Sequence, residues 1–148
     1  MPTAVEFYLQ IEGITGDFIN ADHKGAIQVM AFNFGVSQAE KTQTGGGGGG
    51  AGKATIGDLV VVKALDSRSP SLFLACAKGM HMHKGEFSIV PAVQDGVISR
   101  GPLATYKFTD VIIESVQQAG HEQAGGPTET VTIEFARLDT FTVGDGSV

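Results

Sequence analysis

The sequence has a single cysteine, Cys76, so no disulfide framework can hold it together, and that usage agrees with a reducing compartment. Basic residues are few. The 10 Lys+Arg stand against 16 Asp+Glu, a net charge of −6, and no basic block offers a nucleic-acid footprint. No run approaches the roughly 18 consecutive apolar residues of a membrane-crossing helix. The opening residues, Met1-Pro2-Thr3-Ala4-Val5-Glu6, carry no positive charge, and Glu6 stands where the apolar part of a signal peptide would begin. These absences imply folding in the cytoplasm, no cleaved signal, no membrane insertion and no nucleic-acid partner.

Catalytic patterns are equally scarce. No Ser/His/Asp order stands out. Cys76 sits among Leu74, Ala75 and Ala77, the setting of a buried structural thiol rather than a nucleophile. His81 and His83 would share one face of a strand, but a third ligand is offered only by His23 and Glu86, without the spacing of a zinc site. Asp110 and Glu114, four residues apart on one strand, need not meet. The expectation is no catalytic residues, no cofactor and no metal.

Glycine is abundant, and six consecutive glycines, Gly45 to Gly50, interrupt the chain. Gly47, Gly52 and Lys53 match part of a phosphate-binding loop, but Ala54 replaces the Ser or Thr that would hold magnesium. The segment that follows, Ala54-Thr55-Ile56-Gly57-Asp58-Leu59-Val60-Val61-Val62, is β-branched and reads as a strand, whereas a phosphate loop opens a helix. A linker between two domains is excluded by size. Residues 1–44 alone would bury too little surface to fold. The glycines therefore belong to a long loop, 39–53, within one domain spanning 1–148, with a second glycine-rich loop at 120–128.

The rest of the chain alternates with period two. Val5, Phe7, Leu9 and Ile11 alternate with Glu6, Tyr8, Gln10 and Glu12, predicting a half-buried strand. A second strand is predicted over 26–38. Gln28, Met30, Phe32, Phe34 and Val36 form its large face, expected to meet the core. Val29, Ala31, Asn33, Gly35 and Ser37 form a small face for solvent or a channel. Further strands are predicted over 54–65, 83–91, 103–118 and 130–141. Tyr106, Phe108, Val111, Ile113 and Val116 are candidate core residues of the fifth, and its phase changes near Thr109-Asp110, as at a bulge. Val131, Ile133, Phe135 and Leu138 are those of the last. One helix is predicted, with Ser69 as N-cap, Pro70 in its first turn, Lys78 at its C-terminal end and Gly79 as the left-handed stop. Many strands and one short helix make the chain mainly β, a barrel or sandwich.

Several segments coincide with one family. Ile27-Gln28-Val29-Met30-Ala31-Phe32-Asn33-Phe34-Gly35-Val36-Ser37-Gln38, the glycine loop ending Ala51-Gly52-Lys53, Asp58-Leu59, Lys63, Asp66, the Ser69-Pro70 helix start, Leu74-Ala75-Cys76-Ala77-Lys78-Gly79 and Val131-Thr132-Ile133-Glu134-Phe135-Ala136 stand in the family's order and spacing. By them the chain resembles the Hcp family, the hemolysin-coregulated proteins of type VI secretion. The resemblance covers about Phe7 to Leu138. It departs at the C-terminus, which lacks the family's Gly-Trp-Asp-like or Gly-Tyr-Asp-like segment, so the closing strand is expected to be short and an edge partly open. It also departs at Phe32 and Phe34, where a tryptophan is common.

The resemblance implies a compact two-sheet β-barrel with one short helix and a long glycine-rich loop. It implies homohexameric rings that stack into the inner tube of the secretion system, a structural component and not an enzyme. The implied partners are further copies of itself, small secreted effectors carried in the ring lumen, a spike-tip protein and contractile sheath proteins. The implied route is cytoplasmic folding, then secretion without a cleaved signal. Ala31, Asn33 and Gly35 would face the lumen and its cargo. Lys41, Gly45, Gly46, Gly47, Gly48, Gly49, Gly50 and Lys53 would form the contact between subunits or rings. The alternative is an Hcp-like ring-forming or monomeric binding module that builds no tube.

Overall fold

The computed structural model describes residues 5–14, 26–38, 54–91, 102–122 and 125–144. Among them are nine strands and one helix: β1 (Val5–Ile11), β2 (Ile27–Val29), β3 (Ala31–Asn33), β4 (Val36–Gln38), β5 (Ala54–Ile56), β6 (Leu59–Ala64), α1 (Ser69–Lys78), β7 (His81–Pro91), β8 (Ala104–Ala119) and β9 (Thr128–Val143). Seven strands form one sheet in the order β2-β1-β7-β8-β9-β6-β3, and β4 and β5 form a separate two-stranded ribbon. This is the mainly β, two-sheet barrel that the sequence predicts.

Closure of the barrel rests on Met30. β2 pairs with β1, matching Phe7 to Val29, while β3 pairs with β6, matching Ala31 to Val62. These two edges of the sheet are joined through one bent residue, whose N–H donates to the Val62 carbonyl at 2.7 Å. The bend also corrects the expected faces of the second strand. Ile27 and Val29 are buried, although Val29 belongs to the small face in the sequence pattern. Phe32 and Phe34 then turn to the core, whereas Gln28, Met30 (58% exposed) and Val36 (67% exposed) do not. The chain changes strand partner at Met30, so the alternation restarts there and no single face runs through.

The core is lined by Leu9, Ile11, Ile27, Leu59, Val61, Leu72, Phe87, Val111, Ile113, Val131 and Ile133, together with aromatic rings. Phe7, Phe32, Phe87, Tyr106, Phe34, Phe135 and Phe108 follow one another in contact, with centroid separations of 5.1, 4.8, 6.0, 5.4, 5.8 and 4.6 Å. Such pairs add stability beyond the apolar area they bury. Gly85 belongs to this packing. A Cβ there would stand 2.6 Å from the Phe108 ring and 3.2 Å from Val111, so only glycine lets the ring lie against the strand.

β1 departs from its pattern at both phases. Val5 is exposed at the sheet end. Tyr8, on the polar phase, is 1% exposed in a small cluster with Ala26 and Val90, and its hydroxyl donates to the Glu6 carboxylate. The phase change of β8 falls where the sequence places it. Phe108 and Val111 are both buried, and Asp110 between them has φ 62°. The β8–β9 register shifts between Lys107 and Phe108 and again between Ile113 and Ser115. β9 runs 16 residues, longer than the short closing strand expected; it pairs with β8 throughout but with β6 only from Thr128 to Ile133, so among the described residues its later half has one strand neighbour.

α1 ends as its sequence predicts. Gly79 has φ 61°, its N–H bonds to the Cys76 carbonyl at 3.1 Å, and the Met80 N–H bonds to Ala75 at 3.0 Å. That paired closure satisfies carbonyls which the helix end would leave open. The start of the helix differs. Ser69 is its first residue rather than its cap, and Arg68 holds the cap position without a side-chain bond. Leu72 and Ala75 are buried toward β8, with Cys76 half-buried beside them.

Candidate functional site

β3 places Ala31 and Asn33 on the exposed side of the barrel wall, because Phe32 between them points inward to Phe7 and Phe87. Asn33 lies opposite Val60 in the ladder. Gly35 is exposed just beyond it and adds no side chain. Ala31, Asn33 and Gly35 therefore reach one exposed run of chain, and the large apolar residues between them, Phe32 and Phe34, are what turn them outward. Lys41, Gly45 to Gly50 and Lys53 lie outside the described residues.

The strands on either side of that segment are described. Among the described residues β4 and β5 pair only with each other, matching Val36 to Ile56, Ser37 to Thr55 and Gln38 to Ala54. Val36 and Ile56 are both exposed. The segment after Lys53 is thus a strand, as the sequence predicts, and it breaks at Gly57-Asp58 before resuming as β6.

A buried polar cluster lies under the start of α1. The Lys63 ammonium donates to Glu129 Oε1 at 2.9 Å, and both side chains are 0% exposed. Glu129 also accepts from the Ser69 hydroxyl and from Gln118 Nε2, each at 2.9 Å. Lys63 further donates to the Ala64 carbonyl at 2.9 Å and approaches Asp66 at 3.2 Å. Ser69 Oγ accepts the Asp66 N–H at 3.0 Å, and Asp66 Oδ1 accepts the Arg68 N–H at 2.9 Å. Burial by itself would raise the Glu129 pKa. The hydrogen bonds from Gln118, Lys63 and Ser69, with the charge of Lys63, outweigh it and hold the carboxyl below the usual range. Every charge in the cluster is partnered, the condition under which buried ions are tolerated. The cluster fixes the turn at 65–68 and the helix start to β6, β8 and β9.

Sequence reading missed this cluster, although a signal existed. Lys63 continues the inward phase of Leu59 and Val61, and Glu129 begins the inward phase of Val131 and Ile133. A charge on the core phase of two strands that pair is the pattern of a buried ion pair, and Lys63 lies directly opposite Glu129.

The remaining candidates separate. His81 and His83 share the exposed phase of β7 around buried Met82, and Glu86 lies against Gln10 and Lys107 in the ladder. His23 is outside the described residues. Among the described residues, no group of three or more His, Cys, Asp or Glu is arranged to hold a metal ion. The Cys76 thiol donates to the Glu114 carbonyl at 3.6 Å. The Glu114 carboxyl meets Asp58 rather than Asp110. That hydrogen bond and the Asp58 charge, with burial and Glu134, raise its pKa. A cleft of about 520 Å³ crosses β1, β7 and β8, where Lys84 and Lys107 stand among Glu12, Glu86 and Asp139, a lining of mixed charge. Among the described residues, no helix is long and apolar enough to cross a membrane.

The family model for "Type VI secretion system effector, Hcp" matches residues 8–140. The chain belongs to the Hcp family. Protein hcp1 of Pseudomonas aeruginosa is 32% identical to it over 135 residues, covering 91% of this chain and 81% of that relative. Hcp1 from Salmonella typhimurium superposes with a TM-score of 0.72 at 28% identity, covering 89% of this chain and 82% of the other. A type VI secretion system effector from Yersinia pestis does so with a TM-score of 0.66 at 29% identity, covering 87% and 82%. This Hcp-family chain is accordingly a type VI secretion protein, of a kind that is secreted.

Proposed function

We propose that this Hcp-family protein forms homohexameric rings that stack into the inner tube of a type VI secretion system, with small effectors held in the ring lumen. It acts as a structural component and not as an enzyme. Its partners are other copies of itself, the effectors, a spike-tip protein and the contractile sheath. It folds in the cytoplasm and leaves through the secretion system.

The observation that carries this reading is the ribbon. β4 and β5 stand off the barrel with Val36 and Ile56 exposed, and two strands alone are marginally stable in water. A second copy that covers them would remove that exposure. In this reading Lys41, Gly45 to Gly50 and Lys53 continue the arm onto a neighbouring subunit or ring. Ala31 and Asn33 face the lumen, with Gly35 beside them, and Asn33 contacts cargo.

Size-exclusion chromatography with light scattering, followed by electron microscopy of concentrated protein, tests the assembly. A hexamer that elongates into tubes is expected. A strict monomer at high concentration would remove the ring, and a hexamer that never elongates would leave a binding module.

A further inference from the structure

The strand pair β3–β6 and the ribbon β4–β5 follow one another along the same two stretches of chain, and they are not in register. Asn33 pairs with Val60 on the barrel side, and Val36 pairs with Ile56 on the ribbon side. Phe34 and Gly35 on one strand therefore face Gly57, Asp58 and Leu59 on the other, a bulge of one residue. Backbone pairing across this break is a single bond, from the Gly57 N–H to the Gly35 carbonyl at 2.8 Å.

The two glycines are there for different reasons. At Gly57 a Cβ would stand 3.1 Å from the Gly35 oxygen, so glycine lets the strands approach closely enough for that bond. Gly35 has no such need. Its φ is not positive, and a Cβ would meet nothing within 4 Å. Glycine also carries an entropic cost that a residue with a side chain avoids. What glycine adds at position 35 is backbone freedom.

The break is held firmly on its barrel side and loosely beyond. Phe34 is fixed between Tyr106 and Phe135, with centroids 5.4 and 5.8 Å away. One residue further, Val36 and Ser37 are exposed, and among the described residues β4 pairs only with β5.

We propose that Gly35 and Gly57 form a joint on which the β4–β5 ribbon swings as a unit relative to the barrel, so that one arm meets neighbouring copies of this chain at more than one angle. The swing is a property of the single chain. Its use between copies rests on the assembly reading above.

Pulsed electron–electron distance measurement on the full chain tests it. Nitroxides are placed by Ser37→Cys on the ribbon and Gln117→Cys on β8, with Cys76→Ala removing the native thiol. A Lys107→Cys and Gln117→Cys pair, both on β8, is the rigid control. The ribbon pair should give a broad or two-peaked distribution beside a narrow control, and Gly35→Val should collapse it to one narrow peak. Gly35→Ala supplies a milder restraint if the valine variant folds poorly. A ribbon distribution as narrow as the control, or a breadth that neither variant reduces, would overturn the joint. Light scattering on the same samples separates the two ideas. A monomer with a broad distribution keeps the joint and loses the assembly, and a hexamer with a narrow one does the reverse.

Discussion

Lys63 and Glu129 face each other across β6 and β9 with nitrogen and oxygen 2.9 Å apart, and neither side chain is exposed to solvent. Removing one partner leaves the other charged and buried, which costs about 3–5 kcal/mol. Lys63→Met and Glu129→Leu should each lower the unfolding free energy measured in urea by that much, and the double variant should recover most of the loss. A double variant as unstable as the sum of the singles would mean that the charges do not act as a pair.

Protons should act on the same cluster, and the sign follows from the lowered Glu129 pKa. A carboxyl whose folded pKa lies below its unfolded value stabilises the protein above the unfolded pKa, near 4.3. That contribution disappears as pH falls through the folded value. Stability should therefore hold at neutral pH and fall below about pH 4, with part of the slope missing in Glu129→Gln. Urea midpoints from pH 7 to pH 3 check this, and equal slopes for both proteins would contradict it.

Two glycines should respond oppositely to alanine. At Gly85 the new methyl group would press on the Phe108 ring, and overpacking of this kind costs about 1–3 kcal/mol. At Gly35 the space is open and the backbone is ordinary, so alanine should cost nothing or add about 0.4–1 kcal/mol. Thermal or urea unfolding of both variants reads the contrast. A loss at Gly35 as large as that at Gly85 would refute the open-space reading.

Asn33 should matter for cargo and not for folding, since it is exposed on β3 between core-packed Phe32 and Phe34. Asn33→Gln should leave the melting temperature and the oligomeric state unchanged and reduce the effector that co-purifies. Normal effector retention in a folded ring would count against Asn33 as a lumen contact.

Where the sequence was legible, the signals were local. The alternation of Phe7, Leu9 and Ile11, and of Val131 and Ile133, is written in side chains two apart, and a half-buried strand needs nothing more to be recognised. Gly79 marks the helix end because a left-handed residue is needed there. Ser69 misled, since its hydroxyl is of the capping type but turns to Glu129, a residue 60 positions away.

The sequence by itself determined the class of this protein. It set mainly β structure with one short helix, a glycine run that Ala54 and the following strand keep from being a phosphate site, and a motif order that identifies the Hcp family. These follow from spacing and residue type, which the chain carries before it folds. The tertiary structure alone decided where the chain turns at Met30 to close the barrel, which buries Val29 and exposes Met30. It alone brought Lys63 onto Glu129, and it set Gly35 against Gly57. Each is a relation between strands whose pairing and register are fixed only when distant segments pack, so period-two patterning could name the faces but not the partners.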